Sequence, residues 1–315
     1  MQTVLEDRIV ERWDRAFQRG ELLYIETEVA HIKEKEIEFQ IRVAPSLAKK
    51  PTGKLGVKDE EQQKSKANPF LPYSQELFVQ EHGKYNILLN KFCVVPHHIV
   101  IATKEFEKQT DPLNPEDLEC IWFCIMQIKS RPVLAFFNCG ELSGGSQPHK
   151  HMQVIPLPSD VRFTPPINSC IYGSQEFKKP GEIFDIPELP YVHYISLLDP
   201  QQLSLGHGRH EEVSHYLNDV FHSLLDAMIE SLHKQSSLIS LNSLSYNVVM
   251  TSTWLMIVPR SKEKYENMSV NSLGYAGMLL TKSKEELELV KDAGVLNILE
   301  SLAFSKQNVI MDESN

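Results

Sequence analysis

No apolar run in the 315-residue chain reaches the roughly 18 residues that a membrane-spanning helix needs. The opening residues, Met1 to Arg8, lack the hydrophobic stretch of a secretory leader, so the expected setting is cytoplasmic, with the nucleus equally open. Cysteine is sparse: Cys93, Cys120, Cys124, Cys139 and Cys170 are odd in number, scattered and without a Cys-x2-Cys pair. That supports neither a disulfide framework nor a zinc knuckle. No carboxylate cage for a protein-bound divalent ion is visible, and no structural metal is expected. Positive charge is short as well, with 32 Lys and Arg against 42 Asp and Glu. A net charge of −10 argues against a non-specific nucleic-acid binder, which gathers phosphates with spread positive charge. The remainder is ordinary for a globular chain, 42% hydrophobic and 23% charged, and long enough for one large core or two medium ones.

The most informative stretch runs from Asn138 to Gln153. An apolar run, Val133 to Phe137, leads into a Gly/Ser turn, and the chain leaves it through His149-Lys150-His151-Met152-Gln153 into Val154 and Ile155. This pattern predicts strand, polar loop, strand. Side chains alternate along an extended segment, so His149, His151 and Gln153 share one face while Lys150, Met152 and Val154 share the other. Gly144, Gly145 and Ser146 leave backbone N–H groups uncovered, a set of donors suited to an anion. A neutral imidazole beside such a turn suits attack on phosphorus, and His151 is the expected nucleophile. Taken alone, His-x-His fits half a metal site or a solvated sheet face equally well.

Around this centre the pattern predicts an amphipathic helix over about 4–19, with Ile9, Trp13, Ala16 and Phe17 on one face and Gly20 closing it. A strand follows at Ile37 to Val43, then a polar segment from Ala48 to Lys66 in which Lys54 is a candidate phosphate contact. Asn68 to Tyr73 is a rigid Pro/aromatic connector that seals the core or gives a base a stacking wall. Tyr85 to Ala102 reads as a hairpin of apolar strands, interrupted by Asn90 and Lys91, which suit ribose and phosphate contacts. Asn114-Pro115-Glu116-Asp117 is a strong helix start. In the second half, Tyr191 to Leu198 alternates like a strand and 210–234 is helical. Tyr246 to Met250 and Trp254 to Arg260 form a hairpin that loosely echoes the earlier one.

The spacing Asn-x-Gly-x3-Gly-x-Ser-x2-His-x-His-x-Gln resembles the histidine-triad superfamily in its transferase branch, where glutamine stands third. The strand, strand, helix, strand, strand order over 84–157 is that of a histidine-triad unit. The segment Asn271-Ser272-Leu273-Gly274-Tyr275-Ala276-Gly277-Met278, with Tyr246 to Met250 and Val258 to Lys262 upstream, is similar to the fungal-type diadenosine tetraphosphate phosphorylases, or ATP adenylyltransferases. The fit covers residues from about 4 to 285 in order. It implies an α+β fold: an antiparallel histidine-triad-like sheet with helices, in two fused, pseudo-duplicated halves. Expected boundaries are 1–165 for the catalytic half, 166–190 for a Pro-punctuated connector and 191–315 for a half that completes the nucleotide site.

The resemblance implies phosphorolysis of diadenosine tetraphosphate to ADP and ATP through an adenylyl-histidine. His151 is then the nucleophile, Gln153 holds the intermediate's phosphate and His149 orients or polarises. Asn138, Gly144, Gly145, Ser146 and Gln147 would cradle the α-phosphate. Lys54, Asn90, Lys91, Asn271, Ser272, Leu273, Met278 and Lys282 would hold ribose, base and distal phosphates. The implied partners are dinucleoside polyphosphates, ATP, ADP and inorganic phosphate, with magnesium chelated by the substrate, no nucleic acid, no membrane and a monomeric chain. Hexose-1-phosphate uridylyltransferases share the loop and strand, but usually have proline where this chain has Lys150. A catalytically silent nucleotide sensor and a histidine-triad hydrolase are the other readings.

Overall fold

The computed structural model describes residues 4–45, 68–159, 161–162, 164–173, 178–204, 210–235 and 244–306. Its organising element is a nine-stranded sheet, paired antiparallel throughout. From one edge to the other the strands are Ile183–Phe184, Tyr194–Leu197, Trp254–Pro259, Tyr246–Met250, Val133–Cys139, His151–Pro156, Ile99–Thr103, Tyr85–Leu89 and Phe78–His82. The two halves of the chain meet where Tyr246–Met250 pairs with Val133–Cys139, Asn247 opposite Asn138. One sheet therefore serves both halves.

Every residue of Val133–Cys139 is buried, and the same holds for the Tyr246–Met250 and Trp254–Pro259 strands, because the sheet is covered on both faces. Ala135, Phe137, Met152, Val154, Val248 and Ile257 face a layer built from the helices Leu5–Gln18, Pro115–Gln127 and His210–Gln235. Leu134, Phe136, Ile155, Val249 and Met256 face the opposite way, against Ile37, Phe39, Ile41, Met278 and the helix Val295–Leu302. That second layer is a three-stranded sheet in which Ile37–Val43 pairs antiparallel with Glu28–Glu34 and parallel with Met278–Thr281.

A third apolar cluster, Phe70, Leu88, Val100 and Ala102, lies farther along the sheet. The register places Gln153 between Phe136 and Val100, and His151 opposite Ala102. His151 and Gln153 thus stand between two apolar clusters, on the face turned away from the long helices. The alternation read from the sequence selects this face.

The N-terminal helix spans Leu5–Gln18 with Leu5, Ile9 and Ala16 buried, but Phe17, expected inward, is 48% exposed, stacked on Trp13. Two strands longer than two residues are not anticipated by the hydrophobic pattern, Glu28–Glu34 and Phe78–His82. Both are rich in polar residues and lie at sheet edges. The segment Asn271 to Met278 contains a helical turn, Ser272–Tyr275, capped by Asn271. No helix among the described residues is long and apolar enough to cross a membrane.

Candidate active site

His151 opens the strand that carries it, and its ring is buried under Phe70, centroid to centroid 5.2 Å. Its Nδ1 lies 2.8 Å from the His149 carbonyl oxygen. A carbonyl only accepts, so Nδ1 carries the proton and Nε2 keeps the lone pair. Burial pushes the His151 pKa down to about 4, with neighbouring His149 adding in the same direction and the carbonyl contact opposing. The ring is therefore neutral and held in one tautomer, with Nε2 free of partners among the described residues.

His149 is fully buried and both its nitrogens are engaged. The Asn68 amide oxygen accepts from Phe70 N–H, which turns the Asn68 amide nitrogen toward His149 Nδ1 at 2.9 Å. Nδ1 thus accepts, and Nε2–H donates to Thr103 through its carbonyl (2.9 Å) and hydroxyl oxygen (2.8 Å). His149 orients His151 through its backbone carbonyl and has no ring nitrogen to spare.

Past Phe136 and Gln153 the two central strands no longer pair, and Gln109 bridges the opening. Its amide nitrogen donates to the carbonyls of Asn138 (2.8 Å) and His151 (3.2 Å), and its oxygen accepts from His151 N–H at 2.8 Å. One side chain replaces the lost ladder bonds, so the strands can diverge without orphaned backbone groups.

The loop between them requires glycine at two places. Gly140 has φ +83° with Ser245 against it, and Gly144 has φ +77° with its missing Cβ only 2.6 Å from the Val270 carbonyl. The segment around Asn271 therefore abuts the glycine loop. Asn138, buried beneath the loop, accepts through Oδ1 from Ser272 N–H (3.0 Å), Ser272 Oγ (2.7 Å) and the Asn247 amide (2.8 Å). Asn247 donates also to the Ser143 carbonyl at 2.8 Å and accepts from buried Arg260 at 2.6 Å. The Tyr-Asn-x-x-Met and Val-Pro-Arg motifs thus supply a clamp between the halves.

The remaining expected residues spread outward. Asn90 reaches Gln153 through His98, whereas Lys91 is exposed, its Nζ 5.9 Å from the Phe92 ring. Ser146 and Gln147 line a cavity of about 430 Å³ with Phe106, Lys108 and Gln109. Asn271 caps Leu273 N–H, Met278 is buried at the start of its strand, and Lys282 is exposed just beyond that strand's end. Lys54 lies outside the described residues. Asn68, His98, Thr103 and Gln109 are contributors that local pattern did not single out. Among the described residues no group of three or more His, Cys, Asp or Glu side chains is arranged for a metal ion.

A pH profile follows from the burial. His98, His151 and His193 are all held down to about 4, below the ordinary histidine value of about 6.5. Between those values the unfolded chain binds protons that the folded chain refuses, so stability falls as pH drops through that window. Urea midpoints should decline from about pH 7 to about pH 5, while transfer rates show no inflection near 6.5 from the nucleophile. A midpoint constant over that range would contradict the assignment.

Residues 1–172 match the family model described as the Ap4A phosphorylase N-terminal domain, and 187–305 match that of the ATP adenylyltransferase C-terminal domain. The chain belongs to the Ap4A phosphorylase family. It is 30% identical over 304 residues to diadenosine 5',5'''-P1,P4-tetraphosphate phosphorylase 2 of Saccharomyces cerevisiae, covering 90% of this chain and 89% of the relative. Protein APA1 of the same yeast is 27% identical, with 88% and 86% covered. The crystal structure of yeast Ap4A phosphorylase Apa2 superposes with a TM-score of 0.79 at 26% identity, covering 96% of this chain and 99% of that one. The structure of Apa2 in complex with Ap4A gives 0.76 at 27% identity, with the same coverage. In this member of the Ap4A phosphorylase family, His151 and its loop fall within the first matched region, and the Asn247–Arg260–Ser272 clamp falls within the second.

Proposed function

We propose that the chain catalyses phosphorolysis of diadenosine tetraphosphate to ADP and ATP. The observation that carries this reading is His151, neutral, tethered at Nδ1 and with Nε2 free, beside a loop of small residues. In the first step Nε2 bonds to the α-phosphorus as the bond to the polyphosphate bridge breaks, expelling ATP and leaving an adenylyl-histidine. Inorganic phosphate then attacks the same phosphorus, the P–N bond breaks, and ADP leaves. The His149 carbonyl stabilises the charge that His151 gains in the first step.

Backbone donors from Gly144 to Gln147 and the amide of Gln153 hold the α-phosphate oxygens in this scheme. The cavity of about 430 Å³ beside Ser146, Gln147 and Lys108 gives the leaving polyphosphate a place. Asn90, Lys91, Asn271, Leu273, Met278, Lys282 and Lys54 serve the nucleoside and distal phosphates. Magnesium enters as part of the chelated substrate. One chain supplies both halves of the site, which supports action as a monomer. A relative crystallised with AMP and with Ap4A supports nucleotides as ligands.

The test is to incubate the protein with diadenosine tetraphosphate, with and without inorganic phosphate, and separate the products. ADP and ATP in equal amounts, formed only with phosphate, are expected. AMP released without a phosphate requirement would make it a hydrolase, and no turnover would overturn the reading.

A further inference from the structure

Gln153 differs from a histidine in one chemical respect: its amide has a donor end and an acceptor end, and neither titrates. Which end meets an anion depends on what holds the other. Among the described residues its oxygen has one partner, His98, whose Nε2 lies 3.0 Å away. His98 is itself buried, and its Nδ1 lies 3.1 Å from the Asn90 amide nitrogen. The orientation of Asn90 is fixed by the chain, because Phe92 N–H donates to its oxygen at 3.1 Å.

These contacts allow one consistent assignment. The Phe92 N–H holds the Asn90 oxygen, the Asn90 nitrogen donates to His98 Nδ1, and the His98 proton therefore sits on Nε2. That proton goes to the Gln153 oxygen, which leaves the Gln153 nitrogen with two N–H groups and no partner among the described residues. Burial keeps His98 neutral down to about 4, so the ring presents one donor and one acceptor at working pH.

We propose that His98 is a positioning residue: it fixes the Gln153 amide so that both N–H groups, rather than the oxygen, face the α-phosphate. This rests on the function proposed above and assigns a role to a residue outside the His-x-His-x-Gln strand. Without the His98 proton, the amide rotates freely by a half-turn. Half of its population would then aim a carbonyl oxygen at a phosphate oxygen, and the donors would be lost. Asn90 acts in the same chain, which gives it a task besides any contact with ribose.

A double-mutant cycle on His98 and Gln153 separates this role from simple packing. AMP serves as the probe, bound without turnover and measured by calorimetry on the full chain. Gln153→Ala should weaken AMP about tenfold, the scale of one hydrogen bond to a charged group, and His98→Leu about twofold, because about half of the amide population stays competent. The double variant should be no weaker than Gln153→Ala alone, because the whole effect of His98 runs through that amide. His98→Gln, which retains an N–H donor, should recover most of the loss.

Losses that multiply to about twentyfold in the double variant, or a His98→Leu chain with unchanged AMP affinity, would overturn the proposal. If His98→Leu does not fold, His98→Phe keeps the ring volume and carries the same comparison. Product analysis on the unmodified chain distinguishes the two claims. A wild type that binds AMP but makes no ADP and ATP overturns the phosphorolysis reading, whereas an additive cycle in an active enzyme overturns only the relay.

Discussion

His151→Ala is expected to abolish the covalent AMP-protein species and to lower phosphorolysis by at least about four orders of magnitude, the scale of other nucleophile removals. Three imidazoles gather at this point of the sheet, and only one can attack. His149 spends Nδ1 on Asn68 and Nε2 on Thr103. His98 spends Nδ1 on Asn90 and Nε2 on Gln153. Of these three only His151 has an unoccupied ring nitrogen, its Nδ1 being held by the His149 carbonyl. No neighbour can take over the role. The measurement is acid-quenched trapping of labelled AMP on the protein, beside product formation. Residual turnover above about 1% of wild type would mean that attack does not start from His151.

The variant should also fold. Removing a buried imidazole deletes a group that resists protonation, so the loss of stability between about pH 6.5 and 4 should become shallower in His151→Ala. Lost chemistry with an intact or slightly flatter pH–stability curve separates removal of a nucleophile from collapse of the strand.

Much of this centre was legible in the sequence, for a simple reason. Strand alternation is a local property, so His149, His151 and Gln153 could be placed on one face from their spacing alone. The helix start at Asn114 was equally local, and in the structure Asn114 and Asp117 exchange the two bonds of a capping box. What was hidden is what tertiary contact decides. Asn68 lies 81 residues before the histidine that it holds, and Gln109 lies 42 before His151. His98 sits just before the Ile99–Thr103 strand and has no local signal, because its meaning comes from Gln153, 55 residues later.

Polar edge strands were missed for a related reason. Glu28–Glu34 is mostly exposed or half-buried and carries four charged or imidazole side chains, so its pattern resembles a loop until Ile37–Val43 pairs beside it. Phe17 was misplaced because its spacing fits the helix's apolar face, yet the surface that it would meet ends before it. The segment near Asn271 was drawn to the site by likeness to a family, and the structure packs it against the loop that precedes His151. Its work there is mechanical as well: Ser272 holds Asn138, while Val270 fills the space that Gly144 leaves open.

Lys150, noticed in the sequence only because proline often stands there in the rival family, carries the largest expected effect on stability. Its side chain points to the helix face, 1% exposed, and Nζ lies 2.5 Å from Asp117 Oδ2 and 2.8 Å from the Pro112 carbonyl. Asp117, fully buried, also accepts from the Tyr85 hydroxyl at 2.7 Å and from Asn114 N–H at 2.9 Å. This pair ties the residue between the two histidines to the first turn of the Pro115–Gln127 helix. Lys150→Met leaves the Asp117 carboxylate buried without its cation and should cost about 3–5 kcal/mol in urea unfolding, while Asp117→Asn, which leaves Lys150 the Glu107 carboxylate at 3.8 Å, should cost less. The double variant should cost clearly less than the sum, since it removes both charges at once. Because Lys150 anchors the backbone on which His149 and His151 ride, both single variants should lose AMP affinity at temperatures where they remain folded. Single costs below about 1 kcal/mol, or a fully additive double variant, would show that the ion pair does not hold the catalytic strand in place.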